Sequence, residues 1–149
     1  MRMWEAGAQE VVIADTIGAA SPRDVQQVLE GVLRVLPAGK LGLHLHDTRG
    51  MAVANAWQGL QMGIRRFDAS IGGLGGCPFA PGAAGNLATE DLALLCAQAR
   101  YDTGIDLRRL VEAIDLAGAL VGYPVGGRSL RWLRNELQRE KALELGANV

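Results

Sequence analysis

His44 and His46 are the only two histidines in the chain, and they stand two apart in the run Leu41 to Asp47 (LGLHLHD). Residues i and i+2 of a β-strand point to one face, so a strand here presents two imidazoles side by side, a geometry suited to a divalent cation. The other positions of the run are apolar (Leu41, Leu43, Leu45), and Asp47 and Thr48 lead into a loop, the kind of segment where functional groups concentrate. Two imidazoles do not complete a site. Oxygen donors must come from elsewhere, and a mixed nitrogen and oxygen set with open positions suits Mg2+, Mn2+ or Zn2+. The plainer alternative is a structural or solvent-facing pair, since histidine is intermediate in burial.

Three further groups invite the same question. Cys77 sits in the glycine-rich run GGLGGCPFAPGAAGN (72–86), where small neighbours leave room for a ligand. A cysteine so placed is a candidate acid, base or nucleophile, and the alternative is a surface loop in which glycine serves only the turns. Asp15 ends the run VVIAD and precedes Thr16; it suits either a turn-closing acid or a group of the site. Glu90 and Asp91 follow Thr89 as first-turn acids do, stabilised by a helix dipole. Cys96, within DLALLCAQA, is expected in a core.

The elements that must position these groups alternate. Val11 to Asp15 reads as a buried strand entering a turn. Ser21 as N-cap and Pro22 at the first helical position open a helix whose apolar spacing runs to Leu36, where Pro37 closes it. Leu41 to Asp47 reads as a second strand, Met51 to Met62 as a second helix stopped by Gly63, and Phe67 to Ser70 as a third strand. Beyond the glycine-rich loop, Thr89 is expected to cap a helix. A further helix runs from Leu107 to Val121 with Asp106 as its cap, and the charged stretch after Ser129 is helical in composition. Strand, helix, strand, helix, strand is the order that builds a parallel sheet through right-handed crossovers. Asp15, His44, His46, Asp47 and Cys77 then all fall at or beyond the C-terminal ends of strands, where α/β barrels and open α/β sheets place their sites.

Composition narrows the function classes. The 149 residues are 49% hydrophobic and 21% charged, with 16 acids against 15 bases, which describes an ordinary globular domain rather than a disordered chain. Interspersed charges of near-zero sum leave no electrostatic footprint for nucleic acid or an anionic membrane. No run approaches the ~18 apolar residues of a membrane helix, and the first ten residues lack the layout of a signal peptide; the expected setting is the cytoplasm. Two cysteines are too few for a disulfide scaffold. One domain over residues 1–149 is expected. Three strands do not close a barrel of eight, which takes ~250 residues, and the first ten residues read as the tail of a helix whose preceding strand is absent, so the chain reads as the second half of a larger architecture.

The run from VVIADTIGAASP through HLHDTRGMAVANAWQGLQMGIRRFDASIGGLGGCPFAPGAAGNLATEDL closely resembles the C-terminal half of the 3-hydroxy-3-methylglutaryl-CoA lyases. These are metal-dependent lyases of a TIM (β/α)8 barrel superfamily that also holds the isopropylmalate and homocitrate synthases. The resemblance extends over about residues 5 to 121, and the loop GLGGCPFAPGAAGNLATED is its most specific piece. It implies His44 and His46 as imidazole ligands and Asn86 as an amide-oxygen ligand to Mg2+ or Mn2+. It implies Cys77 as a catalytic group at the reacting carbon, Asp15 as an active-site acid, and Glu90 as a catalytic acid just past the loop. The reaction implied is retro-Claisen cleavage of 3-hydroxy-3-methylglutaryl-CoA to acetyl-CoA and acetoacetate, with an acyl-CoA as the small-molecule partner and the glycine loop shielding the substrate from water.

The family also carries an Asp metal ligand and an adjacent Arg on its first barrel strand, and this chain has no counterpart to them. The resemblance therefore implies little or no turnover by these 149 residues alone, and a partner in the form of a second copy or a separate N-terminal half. A second copy would restore neither the Asp nor the Arg. Two other readings stand beside it: a non-catalytic metal-binding remnant, and a Claisen-type synthase of the same superfamily, against which the Cys77 loop argues.

Overall fold

The computed structural model describes residues 2–76 and 85–146, so Cys77 lies outside the described residues. In chain order the elements are α1 (Arg2–Glu5), β1 (Val11–Asp15), α2 (Pro22–Leu33), β2 (Leu41–Leu45), α3 (Ala52–Gln61), β3 (Phe67–Asp68), α4 (Thr89–Gln98), α5 (Leu107–Val121) and α6 (Leu130–Gly146). They fall into two compact units. The first takes in the described residues of Met1–Ser70 and Gly75–Leu87, and the second takes in Ile71–Leu74 and the described residues from Ala88 onward.

The first unit is built on a parallel sheet of order β1-β2-β3. Its register pairs Val11 with Leu41 and Asp15 with Leu45, and on the other side Leu43 with Phe67 and His44 with Asp68. The central strand is buried at Leu41, Gly42, Leu43 and Leu45, as a parallel strand covered on both faces should be. Ser21 caps α2 as expected. Its hydroxyl accepts the Asp24 amide while the Asp24 carboxylate accepts the Ser21 amide, with Pro22 in the first turn, a reciprocal capping box. The Ser21 hydroxyl and amide together hold the Asp24 carboxyl below its ordinary 3.8. That cap is fully present above the ordinary value and is lost as pH falls through the lowered one. Buried Val25 and Leu29 face inward, while α3 buries the small-residue stripe Ala52, Ala56 and Gly59.

Three boundaries depart from the sequence reading, one of them that of β3, which ends at Asp68 rather than Ser70. Helix α2 ends at Leu33 rather than Leu36, because the amides of Val35 and Leu36 both turn back to the carbonyl of Val32 and Pro37 disfavours a helical residue before it. Strand β2 ends at Leu45 rather than Asp47. His46 leaves the parallel ladder and forms an antiparallel bridge with Asn86.

The second unit has its own apolar core of Ala93, Leu110, Val111, Ile114, Leu130 and Leu133, with Ile71, Leu94, Leu107, Val125 and Leu137 packed against it. Asp106 caps α5 by accepting the amides of Arg108 and Arg109 at 2.8 and 3.2 Å, and Gly122 ends the helix in the left-handed conformation. The charged C-terminal stretch is one helix docked through Leu130, Leu133 and Leu137. Cys96 is buried. Thr89 does not cap α4. It is the first helical residue, and the capping position belongs to Ala88, which offers no side-chain bond.

The two acids after Thr89 are buried, which first-turn acids on a solvated helix are not. Asp91 accepts the amides of Arg128 and Ser129 at 2.9 and 2.8 Å, together with the Ser129 hydroxyl. A carboxylate on α4 thus satisfies donors at the entry to α6, where they would otherwise be orphaned. Asp91→Ala is expected to cost about 3 kcal/mol by removing charge-assisted bonds from a buried position. Chemical denaturation measures the loss, and faster hydrogen exchange at Arg128, Ser129 and the first turn of α6 would place it. Among the described residues, no helix is long and apolar enough to cross a membrane.

Candidate metal centre

The parallel register brings three backbone ends together in the first unit. His44 and His46 share a face by the two-residue strand period, and their rings meet edge to face, with centroids 4.8 Å apart and an interplanar angle of 80°. Asn86 stands opposite His46. The bonds flanking that pair run from the Leu87 amide to the Leu45 carbonyl, 2.8 Å, and from the Asp47 amide to the Gly85 carbonyl, 3.1 Å. His46 and Asn86 are therefore a non-hydrogen-bonded antiparallel pair, the type in which Cα atoms approach to about 4.5 Å and side chains share a face most closely. Two imidazoles and one amide thus occupy one side of the sheet end. Among the described residues, no group of three His, Cys, Asp or Glu side chains is placed to hold a metal ion; Asn86 is an oxygen-bearing side chain opposite His46.

The hydrogen bonds of the two rings test whether they suit a cation. His46 is buried, and its Nδ1 lies 2.9 Å from the carbonyl oxygen of Asp15. A carbonyl only accepts, so Nδ1 carries the proton and the neutral ring keeps its lone pair on Nε2. His44 Nδ1 is bonded to Asp68 Oδ1, and an ionised carboxylate likewise only accepts. Both neutral rings therefore hold their protons at Nδ1 and leave Nε2 as the donor atom. This is how metal-bound histidines are oriented by carbonyl or carboxylate partners, and the residues fit a divalent cation.

The Asp15 carboxylate closes a turn, one of the two roles its sequence position suggested, and its main chain adds a role the sequence did not reveal. Its two carboxylate oxygens accept the amides of Ala19 and Ala20 at 3.0 and 3.1 Å, closing the loop between β1 and α2, while its carbonyl fixes the His46 ring. The same loop is braced from outside. Arg49 Nη1 donates to the Ala19 carbonyl, and the wholly buried Asn55 donates through Nδ2 to the Ala20 carbonyl at 2.9 Å. Asp47 Oδ1 accepts the Ala52 amide and so starts α3. Glycine is required at two points. Gly18 has φ +63°, and a Cβ there would lie 2.5 Å from Thr48 Oγ1 and 2.9 Å from the His46 carbonyl; Gly75 has φ +98°, and a Cβ there would lie 2.8 Å from Asn86 Nδ2.

Glu90 lies in the second unit. It is wholly buried, and its two oxygens accept the amides of Gly72 at 3.1 Å and Gly127 at 2.5 Å. Asp68 and Asn55 were not singled out by the sequence. Asp68 faces His44 only through the register of a two-residue strand, which no local pattern encodes. Asn55 did leave a signal, being the one polar residue on the small-residue face of α3 otherwise made by Ala52, Ala56 and Gly59.

A family model described as HMGL-like matches residues 1–117. The chain belongs to the HMGL-like family. Among its relatives, the Bacillus subtilis hydroxymethylglutaryl-CoA lyase YngG is 46% identical over 129 residues, which are 87% of this chain and 43% of that protein. The (R)-citramalyl-CoA lyase of Chloroflexus aurantiacus is 46% identical over 121 residues, 81% of this chain and 38% of that protein. Among solved structures, an HMG-CoA lyase from Acinetobacter baumannii in complex with coenzyme A and 3-methylmalate superposes with a TM-score of 0.81 at 40% identity, covering 87% of this chain and 42% of that one. This HMGL-like chain spans about two fifths of the length of the relatives it matches, and its parallel strands and crossovers are the C-terminal part of a TIM (β/α)8 barrel.

Gly18→Ala in the HMGL-like chain is expected to lower the unfolding free energy by at least about 1–2 kcal/mol, the cost of a left-handed non-glycine residue, before the contacts with Thr48 and His46 are counted. Thermal or urea unfolding measures it. A variant as stable as the parent would show that the loop between β1 and α2 is not packed this tightly.

Proposed function

We propose that residues 1–149 form part of the catalytic domain of a lyase that cleaves 3-hydroxy-3-methylglutaryl-CoA to acetyl-CoA and acetoacetate. The observation that carries the reading is the HxH pair with both Nδ1 atoms engaged and Asn86 opposite His46, on a chain of the HMGL-like family. The relatives named for cleavage of hydroxymethylglutaryl-CoA support the substrate assignment, and the coenzyme A bound to the Acinetobacter enzyme supports an acyl-CoA ligand.

In this reading His44 and His46, through Nε2, and Asn86, through its amide oxygen, hold Mg2+ or Mn2+. When bound, the cation polarises the tertiary hydroxyl and a carboxylate oxygen of the substrate. The Asp15 carbonyl keeps the His46 ring turned toward that task, and its carboxylate keeps the loop beneath it closed. As the carbon–carbon bond breaks, a general base takes the proton of the tertiary hydroxyl, which becomes the ketone of acetoacetate, and the bonding pair is left as a thioester enolate at the acetyl carbon; Cys77 is assigned to give that carbon a proton from its thiol. Glu90, placed among the catalytic acids by the family resemblance, acts by holding the Gly72 and Gly127 amides. Completing the site takes the Asp ligand and the Arg that the family carries on its first barrel strand.

A chimera tests this. The matched part of this chain replaces the corresponding 129 residues of the Bacillus subtilis relative, and cleavage of 3-hydroxy-3-methylglutaryl-CoA is followed with and without Mn2+. Metal-dependent release of acetyl-CoA is expected, and His46→Ala should abolish it. In the same chimera Cys77→Ala is expected to remove cleavage, by 100-fold or more on the order of a lost acid–base group, while Mn2+ still binds. Turnover of (R)-citramalyl-CoA alone would move the substrate assignment toward the Chloroflexus relative, and no metal-dependent cleavage of either would overturn the reading.

A further inference from the structure

The two imidazoles are held by unlike partners. His46 gives its Nδ1 proton to a backbone carbonyl, that of Asp15, which no substitution at position 15 other than a change of backbone path removes. His44 is held by a side chain. Its Nδ1 meets Asp68 Oδ1, and the pair exists because β3 runs parallel to β2 with His44 and Asp68 as register partners, which puts both side chains on the same face of adjacent strands.

Stability does not account for this pair. The His44 and Asp68 side chains are 31% and 57% exposed, and an ion pair at that exposure contributes little to folding. Its chemical effect on the ring is larger. A neutral imidazole with no partner at Nδ1 favours the proton on Nε2, the atom that has to be bare to donate a lone pair. A carboxylate at Nδ1 reverses the preference and makes the opposite nitrogen a better donor.

We propose that Asp68 is a positioning residue that selects the Nδ1–H tautomer of His44 and so presents its Nε2 lone pair on the face shared with His46 and Asn86. The proposal rests on the metal-site reading above for its purpose, but not for its measurement. With two histidines in the chain, two-bond proton–nitrogen correlation spectra of the 15N-labelled 149-residue protein contain two ring systems, assigned with a His44→Gln variant. The spectra are recorded at about pH 8.5, above the range in which imidazoles ordinarily take up a second proton.

In the parent chain both rings are expected as Nδ1–H. In Asp68→Ala, His44 is expected to move to mainly Nε2–H while His46 stays Nδ1–H, so the second ring reports in the same spectrum that the sheet end has kept its fold. Should His46 move as well, Asp68→Asn, whose amide oxygen can still accept from Nδ1, is expected to restore both rings. His44 as Nε2–H in the parent, His44 unchanged in Asp68→Ala, or both rings displaced in both variants would overturn the proposal. Mn2+ titration followed by electron paramagnetic resonance separates this from the reading it rests on. A 10–100-fold weaker affinity in Asp68→Ala is expected from loss of an outer partner of a ligand. Absence of Mn2+ binding by the parent with the tautomers as stated would count against the metal site in this chain and leave the role of Asp68 in the ring intact.

Discussion

The parallel register of three short strands is the constraint on which the candidate centre depends. Because β1 pairs Asp15 with Leu45, and β3 pairs Asp68 with His44, the carbonyl that orients one ring and the carboxylate that orients the other arrive at the same end of the sheet. A slip of one residue in either pairing would turn the relevant side chain to the opposite face. The buried leucines of β2 oppose such a slip, since moving them outward would expose Leu41, Leu43 and Leu45, all now at 2% exposure or less. Hydrophobic burial in the middle of the sheet thereby fixes the hydrogen bonds at its end.

Carboxylates do structural work at both ends of the chain, in one chemical style. Asp15 accepts two amides of its own loop, Asp91 accepts two amides and a hydroxyl before α6, and Glu90 accepts the amides of Gly72 and Gly127. In each case an acid side chain satisfies donors that a turn leaves unpaired, and the turn in turn supplies what a desolvated carboxylate needs. A carboxylate with both oxygens so engaged holds two stretches of backbone in place at once.

Much of the fold could be read in the residues because local chemistry announces it. Ser21-Pro22 before an apolar stripe, Asp106 before Leu107 and Gly63 after its helix are cap signals whose mechanism is local, and the alternation of strands with helices follows from hydrophobic period. The HxH face was legible for the same reason: a two-residue spacing needs only the strand period to become a geometry. What stayed hidden required partners distant in sequence. Asn86, which reaches His46 across 40 positions, entered only through the family resemblance, and Asp68 reaches His44 only through β-register; the dual role of Asp15 depends on its main chain, which carries no residue-type signature. Thr89 misled because a good cap residue was one position inside the helix, with the acids behind it drawn into the interior by the segment 127–129.

The bridge between His46 and Asn86 gives the centre a modular character. Gly85 and Leu87, on either side of Asn86, are bound to Asp47 and Leu45 of the histidine-bearing segment, and Gly75 leaves space against the Asn86 amide. Asn86 is thus clamped to the segment that carries the imidazoles by the backbone bonds of its own two neighbours. Whatever shifts the end of β2 therefore carries Asn86 along with both rings, so the three side chains move as one mechanical body.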